Sequence, residues 1–352
     1  ERRDGAGRIP QLTPDLITLD IEMPEMNGLE LLPRLRAAYP DVRVIMFSTL
    51  TERGASATIE ALSLGADDYV TKAANVGSLD RSMAALESEL IPKIKQFFTI
   101  EAEGAAKPAV AASAPSPAAA KSGRPGPALH PQVLAIGVST GGPTALGEII
   151  PQFPADFPMP IVIVQHMPPV FTRLLAERLQ ASAKIQVHEA AEGMTLKAGH
   201  AYIAPGDYHM RLRKNGTAVT VVLDQAPHEN SCRPAVDVLF RSVNETYGAA
   251  AVATVLTGMG YDGLRGAREL RAAGAYIIAQ DEASSVVWGM PGAVAAEGIA
   301  DAVLPLSAVV PEILHITGTP PLRKTSSSSK PAASSATAIP RPPGATHSCR
   351  PQ

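Results

Sequence analysis

The chain of 352 residues has little cysteine, little net charge and no long hydrophobic run. Its two cysteines, Cys232 and Cys349, lie far apart, which excludes a disulfide framework and makes a reducing, cytoplasmic setting the expectation. Lys and Arg total 31 against 34 acidic residues, and this net charge of −3 favours neither nucleic acid nor direct membrane insertion. No apolar run approaches the roughly 18 residues of a membrane span, and the first residues do not resemble a signal peptide, so we expect none.

Proline is distributed unevenly and divides the chain. Residues 101–132 hold six prolines and residues 317–352 hold seven, mostly among alanine and serine. Such segments cannot bury enough apolar area to offset chain entropy. We therefore expect ordered regions at 1–100 and 133–316, a linker at 101–132 and a disordered tail at 317–352.

In both ordered regions, short apolar runs alternate with helical patterns, which is typical of α/β folds with parallel sheets. The first region has three such runs: 16–19, 42–47 and 68–71. The second has six: 133–136, 161–164, 185–187, 252–256, 277–279 and 303–306. Residues His200–Asp224 instead alternate like a hairpin with a turn at Asn215-Gly216. We expect a doubly wound, mainly parallel sheet with one small antiparallel excursion, and sites at the carboxyl ends of its strands.

A glycine-rich turn follows the first strand of the second region. The stretch Gly137–Gly142 reads GVSTGG and fits the pattern G-x-S-x-G, a strand-to-helix turn that exposes the hydroxyl of Ser139. Backbone N–H groups at the start of the following helix can stabilise an oxyanion. A turn of this composition can equally hold phosphate or only reverse the chain.

A histidine and an aspartate follow two other apolar strands. His166 comes directly after 161–164, and Asp262 follows 252–256. Their alternatives are a hydrogen-bonded loop histidine and a helix N-cap. Four other carboxylates compete with Asp262 to orient the histidine: Asp207, Asp237, Asp281 and Glu282. No pair of histidines or cysteines has metal-ligand spacing, so we expect no metal site and no cofactor for catalysis.

Residues 133–316 resemble the catalytic domain of the chemotaxis protein-glutamate methylesterases, the CheB family. The similar stretches are AIGVSTGGPTAL, IVQHMPPVFTRLLAERL, GHAYIAPGDYHM, RPAVDVLF, VLTGMGYDG and IAQDEASSVVWGMP. The resemblance implies a Ser139, His166 and Asp262 triad that hydrolyses glutamate methyl esters on chemoreceptors, releases methanol and deamidates receptor glutamines. The chain order Ser-His-Asp differs from that of α/β-hydrolases.

Four further residues are candidates for positions near the chemistry. We assign the backbone N–H groups of Thr140 and Gly141 to the oxyanion site. Met259 resembles a family position beside the active site, and packing is its alternative role. Arg233 either shapes the substrate cleft or forms a surface ion pair.

The first region resembles the receiver domain of response regulators, a flavodoxin-like fold. Asp20 lies in LDIEMPEMNGL at the end of a strand, where a carboxylate can accept a phosphoryl group. The resemblance implies that Ser48 senses the phosphate, that Lys72 in GADDYVTK pairs with it and that Tyr69 is an aromatic switch. The implied phosphodonor is the chemotaxis histidine kinase, and the implied substrates are the cytoplasmic domains of methylated chemoreceptors.

The receiver pattern departs from the family in two ways. Lys72 is followed by Ala73, where the family usually has proline, and only 19 residues precede Asp20. Asp4 and Asp15 do not fit the acidic pair that holds Mg²⁺ beside the phosphoacceptor in receivers. Because the sequence begins with Glu1, we expect an incomplete, N-terminally truncated receiver whose full-length parent would use Mg²⁺.

Three other functions compete with the esterase. A response regulator whose second domain only binds a partner would be indifferent to Ser139→Ala. A nucleotide-binding domain would need a P-loop lysine or an acidic ribose contact, and neither occurs in the pattern. An α/β-hydrolase would use His315 instead of His166, so the two histidine-to-alanine variants separate it from the esterase.

The differences from the receiver-domain pattern lead to a prediction about regulation. In the family, the unphosphorylated receiver covers the active site and phosphorylation frees it. Because the acidic pair is missing here, methanol release from a methylated receptor fragment should be the same with and without a small-molecule phosphodonor. A clear rise in rate with the phosphodonor would contradict the expectation.

Overall fold

The computed structural model describes residues 9–23, 26–49, 51–72, 79–98 and 130–319. These residues belong to one compact unit that spans Glu1–Pro321. The expected linker at 101–132 and the expected tail at 317–352 fall almost entirely outside the described residues. Among the described helices, none combines the length and the apolar character that a membrane span needs.

The first region forms a three-stranded parallel sheet in the order β1-β2-β3. Its elements are β1 (Leu16–Asp20), α1 (Gly28–Ala38), β2 (Arg43–Ser48), α2 (Glu52–Ser63), β3 (Asp68–Thr71) and α3 (Leu79–Lys95). Two helix starts follow from capping side chains: Asn27 accepts the N–H of Glu30 at 2.8 Å, and Thr51 accepts that of Gly54 at 3.1 Å. Because the strands are parallel, Asp20 and the start of the segment after β3 lie at the same edge of the sheet.

The second region forms a seven-stranded sheet in the order β12-β11-β10-β4-β5-β7-β6, and every pairing in it is parallel. Its strands are β4 (Val133–Val138), β5 (Ile161–Gln165), β6 (Gln186–Glu189), β7 (His200–Ile203), β10 (Ala251–Val255), β11 (Tyr276–Gln280) and β12 (Ala302–Leu304). A separate antiparallel pair consists of β8 (His209–Asn215) and β9 (Ala218–Asp224). The predicted parallel sheet with a small antiparallel excursion is confirmed.

Helices cover both faces of the large sheet. They are α4 (Gly142–Ile149), α5 (Phe171–Ser182), α6 (Val236–Tyr247), α7 (Leu264–Ala273), α8 (Met290–Ala296) and α9 (Leu306–Ile316). The buried residues of β4 alternate between the two cores: Leu134 and Ile136 pack into one, and Val133 and Ala135 into the other. Because β4 is buried on both faces, it is apolar throughout. This explains why residues 133–136 could be predicted as a strand from the sequence.

The hairpin prediction was wrong for its first segment. His200–Ile203 is β7, which pairs in parallel with β5 and β6, and only β8 and β9 form the hairpin. The last three of the four residues of β7 are buried, as expected for a strand that has a neighbour on each side. The turn at Asn215-Gly216 is observed, with Gly216 at a φ of +62°.

The order of the strands fixes where a site can form. The chain proceeds from β4 to β5 and β7 on one side, and it returns to β10, β11 and β12 on the other. The switch point thus lies between β4 and β10. Sheets of this type bind ligands outside the carboxyl ends of the strands at such a point. Helix α2 of the first region packs against α4 and α5 close to this edge.

Two helical glycines give a matched test of the packing. A Cβ on Gly266 would lie 2.5 Å from Cβ of Phe240, whereas a Cβ on Gly147 would meet nothing within 4 Å. Gly266→Ala should therefore destabilise the catalytic region by about 1–3 kcal/mol through overpacking. Gly147→Ala should stabilise it by about 0.5–1 kcal/mol, because alanine loses less backbone entropy in a helix. Urea unfolding of both variants measures the shifts, and equal shifts would contradict the packing of α6 against α7.

Candidate active site

Ser139 lies on the sharp turn between β4 and α4. Its backbone N–H donates to the carbonyl oxygen of Thr257 at 3.0 Å, and its own carbonyl accepts the N–H of Gly142 at 2.8 Å. Gly141 has a φ of +76°, and a Cβ there would lie 2.6 Å from Cγ2 of Val286. Only glycine fits this turn, which leaves the serine half-exposed at the carboxyl end of β4.

His166 lies one strand away from Ser139. It follows β5 directly, and its backbone N–H donates to the carbonyl oxygen of Val138, the last residue of β4, at 3.2 Å. Its Nε2 is 2.8 Å from Oδ2 of Asp262. Ser139, His166 and Asp262 line one cavity of about 430 Å³. The three residues that the sequence analysis singled out are thus brought together at the predicted edge.

Asp262 is fixed by more than the histidine. Its side chain is buried, and it accepts hydrogen bonds from the backbone N–H of Val236 at 2.7 Å, of Asp237 and Gly263 at 3.0 Å each, and from Nδ2 of Asn230 at 2.8 Å. Burial alone would raise the pKa of this carboxyl group. The hydrogen bond and the charge of His166, followed by the backbone donors, outweigh burial and lower the pKa.

The same pair sets the charge of the histidine. Burial alone lowers the pKa of His166, but the hydrogen bond to Asp262, followed by that to Cys232, raises it to about 10. In this conformation the ring is therefore an imidazolium at neutral pH. It has to lose a proton before it can act as a base.

Cys232 lies on the other side of the imidazole ring, with Sγ 3.6 Å from Nδ1 of His166. Within the described residues, the hydroxyl of Ser139 forms no hydrogen bond with His166. The structure thus forms the His–Asp half of the predicted triad and places the serine in the same cavity. Sequence reasoning missed Cys232 and Asn230, because both reach the site from a loop far away in the chain.

Four other carboxylates competed for the orienting role: Asp207, Asp237, Asp281 and Glu282. Asp207 pairs with Nε of Arg233 at 3.0 Å, and Asp281 accepts the N–H of Ser284 at 3.0 Å. Asp237 accepts the N–H of Gly266 at 2.7 Å, and burial raises its pKa. Glu282 is exposed. Among the described residues, Asp262 is the carboxylate that contacts His166.

The backbone at the predicted oxyanion position is open. In the described part of the chain, the N–H groups of Thr140 and Gly141 donate no hydrogen bond. Their assignment to an oxyanion site stays a prediction that this geometry permits. Met259 is 43% exposed and lines the same cavity, so it is not a core residue.

Residues of the first region reach into this cavity. Asp68, Lys93 and Gln96 line it together with Ser139 and His166. Oγ1 of Thr140 lies 3.0 Å from Oε1 of Gln96 and 3.3 Å from Oδ2 of Asp68. Polar groups of the first region thus contact the residue next to Ser139.

Tyr69 anchors this contact. Its ring stacks on Phe171 with 4.9 Å between centroids and 9° between planes, and the ammonium of Lys93 lies 4.7 Å from the Tyr69 centroid. Burial, followed by the charge of Asp68, raises the pKa of the Tyr69 hydroxyl well above its ordinary value. The predicted aromatic switch residue therefore packs between the two regions.

Of the remaining receiver residues, Asp20 and Lys72 line a second cavity, and Ser48 does not. Nζ of Lys72 pairs with both carboxylate oxygens of Asp20, at 2.7 and 2.8 Å. Ser48 is buried and donates to the carbonyl oxygen of Gly54 at 3.1 Å, and it is not among the residues that line the Asp20 cavity.

The described residues do not fit the Mg²⁺ that receiver phosphorylation requires. Asp20 and Glu22 are the carboxylates among the described residues lining the cavity, and both oxygens of Asp20 are bonded to Lys72. Mg²⁺ needs one or two carboxylates free to coordinate it in octahedral geometry. Lys72 therefore occupies the carboxylate of Asp20 that the ion would need.

Comparison with known proteins gives consistent matches. The CheB methylesterase family model matches residues 134–313, and the response regulator receiver domain model matches residues 2–84. A protein-glutamate methylesterase/protein-glutamine glutaminase of Trichodesmium erythraeum is 52% identical, with 88% of each chain covered. One of the same name from Nocardioides sp. is 49% identical, with 88% of this chain and 84% of the relative covered. The solved CheB methylesterase catalytic domain of Thermotoga maritima is 44% identical, with a TM-score of 0.52, covering 53% of this chain and 98% of that chain.

The His166–Asp262 pair predicts how the histidine titrates. In Asp262→Asn the carboxylate charge is lost while burial remains, so the pKa of His166 should fall from about 10 toward or below its ordinary 6.5. NMR titration of the imidazole Cε1–H measures it. Asp281→Asn is the control and should leave the His166 titration unchanged.

The same shift has a consequence for stability. Because the pKa of His166 is higher in the folded state than in the unfolded state, protonation of its ring stabilises the fold. This contribution is fully present below pH 6.5 and is lost as the pH rises from 6.5 to about 10. The urea midpoint of the wild type should therefore fall across this window more than that of Asp262→Asn. Parallel pH profiles of the two proteins would contradict the ion pair.

Proposed function

Because the chain belongs to the CheB methylesterase family, we propose that it hydrolyses glutamate γ-methyl esters on chemoreceptors through Ser139, His166 and Asp262. The enzyme class, protein-glutamate methylesterase and protein-glutamine glutaminase, follows from relatives that are 52% and 49% identical. The observation that carries the assignment of residues is the 2.8 Å contact of His166 with Asp262 in the cavity that Ser139 also lines.

In the proposed mechanism, Oγ of Ser139 attacks the carbonyl carbon of the methyl ester while His166 takes the hydroxyl proton. The tetrahedral intermediate then collapses, and His166 returns the proton to the leaving methoxide, which departs as methanol. Water attacks the resulting acyl-enzyme in the second half and restores the serine. Asp262 orients the ring and stabilises the imidazolium that forms in both halves.

This mechanism requires a rearrangement around the ring. Nε2 of His166 faces Asp262, so Nδ1 is the nitrogen left to receive the Ser139 proton. In the described conformation Sγ of Cys232 lies beside that nitrogen. We propose that the active enzyme exchanges this thiol contact for the hydroxyl of Ser139.

The same groups account for deamidation. A glutamine side chain presents a carbonyl carbon with the same geometry as the ester, and ammonia replaces methanol as the leaving group. His166 has to protonate a more basic leaving group, so its ability to act as an acid matters more for this substrate. The open N–H groups of Thr140 and Gly141 are the proposed oxyanion donors for both reactions.

We also propose how the chain is divided into domains and how the esterase activity is regulated. The proposed parts are a receiver at 1–100, a linker at 101–132, the catalytic region at 133–316 and a tail at 317–352. The proposed partners are the methylated cytoplasmic domains of chemoreceptors as substrates and a histidine kinase as phosphodonor. Phosphorylation of Asp20 would act through Tyr69, whose ring stacks on Phe171 beside the catalytic cavity.

Ser139→Ala tests the nucleophile. Methanol release from a methylated receptor fragment should fall by about 10⁴-fold or more, because removal of a triad member leaves only the oxyanion site and binding. Ser231→Ala is the matched control: this serine lines the same cavity and has no proposed role, so its rate should stay close to that of the wild type. Full activity in Ser139→Ala would contradict the mechanism.

Removal of residues 1–132 tests the covering role of the first region. The fragment that begins at Val133 should release methanol faster than the full chain, by about 5- to 150-fold if the coupling has an ordinary size. The fragment matches a catalytic domain that was solved on its own. The same fragment with Ser139→Ala is the blank. An equal rate from a folded fragment would show that Asp68, Tyr69 and Gln96 do not restrict the site.

A further inference from the structure

Beside His166 and Asp262, the site holds a thiol, Cys232, that the esterase reaction does not use. Cys232, His166 and Asp262 each present one donor atom, and these atoms lie within 4.8 Å of one another. Thiolate sulfur, imidazole nitrogen and carboxylate oxygen are the donor types that Zn²⁺ takes in proteins. Among the described residues, these three side chains form the one cluster with the donor atoms and the spacing to hold a metal ion.

The distance between sulfur and nitrogen fits one metal ion. Tetrahedral zinc, with Zn–S of about 2.3 Å and Zn–N of about 2.05 Å, separates the two donor atoms by about 3.6 Å. Sγ of Cys232 and Nδ1 of His166 are 3.6 Å apart. The separation of the two donor atoms therefore matches that of two ligands of one zinc ion.

The other ring nitrogen is already arranged as in metal sites. A histidine that binds zinc usually donates its second N–H to a carboxylate, which fixes the ring and raises its affinity for the metal. Nε2 of His166 contacts Oδ2 of Asp262 at 2.8 Å, and Asp262 is held in turn by backbone N–H groups. The outer carboxylate of a zinc site is thus present.

The surroundings admit a cation. The site opens into the cavity of about 430 Å³, which leaves room for water ligands in the remaining positions. Two basic side chains that line an adjoining pocket with Cys232 are neutralised, because Lys93 pairs with Asp68 at 3.2 Å and Arg233 with Asp207. Neither leaves an uncompensated positive charge beside the sulfur.

We propose that Sγ of Cys232 and Nδ1 of His166 form an inhibitory site for a thiophilic divalent cation, Zn²⁺ above all, with Asp262 as the outer carboxylate. Binding displaces the thiol proton and the Nδ1 proton to solvent and forms one metal–sulfur and one metal–nitrogen bond. The ion then occupies the nitrogen that would accept the Ser139 proton. The site itself needs no esterase activity, whereas the inhibition rests on the proposed function.

Cobalt titration of the full chain tests the site directly. Co²⁺ replaces zinc and gives a thiolate charge-transfer band in the ultraviolet, so the readout detects a metal–sulfur bond. The wild type should show this band at one ion per chain, and Zn²⁺ should abolish it by competition. Cys232→Ser should lose the band, whereas the matched variant Cys349→Ser should keep it.

Two further variants separate a site from a folding defect. Asp262→Asn should keep the band but weaken the affinity for Co²⁺ by about 10- to 100-fold, as removal of an outer carboxylate does. His166→Ala should weaken binding further. A wild type without the band, or a band that survives in Cys232→Ser, would overturn the proposal.

An activity arm then tests inhibition. Zn²⁺ should suppress methanol release by the wild type and a chelator should restore it, while Cys349→Ser should respond in the same way. Absence of methanol release without zinc would count against the proposed function and leave the cobalt result intact. A normal cobalt band with no effect of Zn²⁺ on the rate would overturn the inhibitory role.

Discussion

The carboxylate of Asp262 is the fixed point of the catalytic region. Two successive backbone N–H groups at the start of α6, those of Val236 and Asp237, hold it, and Asn230 adds a third donor. A buried charge persists only where such donors replace water. Because the carboxylate cannot move, it determines the orientation and the protonation of His166, and through the ring it determines what can happen at Ser139 and Cys232.

The described conformation differs from the one that the proposed mechanism needs. The ion pair raises the pKa of His166 to about 10, and Cys232 contacts the nitrogen that the reaction needs. Polar groups of Asp68 and Gln96 meet Thr140 over the same cavity. The contacts of His166 and the polar groups of the first region thus meet in one cavity.

Much of this arrangement was predictable because it depends on local pattern. The predicted strand 68–71 agrees with β3 at both ends, and residues that follow apolar strands were correctly expected at one edge. The hairpin that began at His200 was wrong, because β7 pairs in parallel with β5 and β6 instead of joining the antiparallel pair. Cys232 and Asn230 were missed because the loop that holds them reaches His166 only through the tertiary fold, and no spacing in the chain records that approach.

The central claim is that the His166–Asp262 pair activates Ser139 as a nucleophile. A fluorophosphonate reacts covalently with an activated serine, so mass mapping of the labelled peptide locates the nucleophile without a receptor substrate. The account predicts one label on Ser139 in the wild type and its loss in His166→Ala. A label that falls on another side chain, or that persists on Ser139 in His166→Ala, would contradict it.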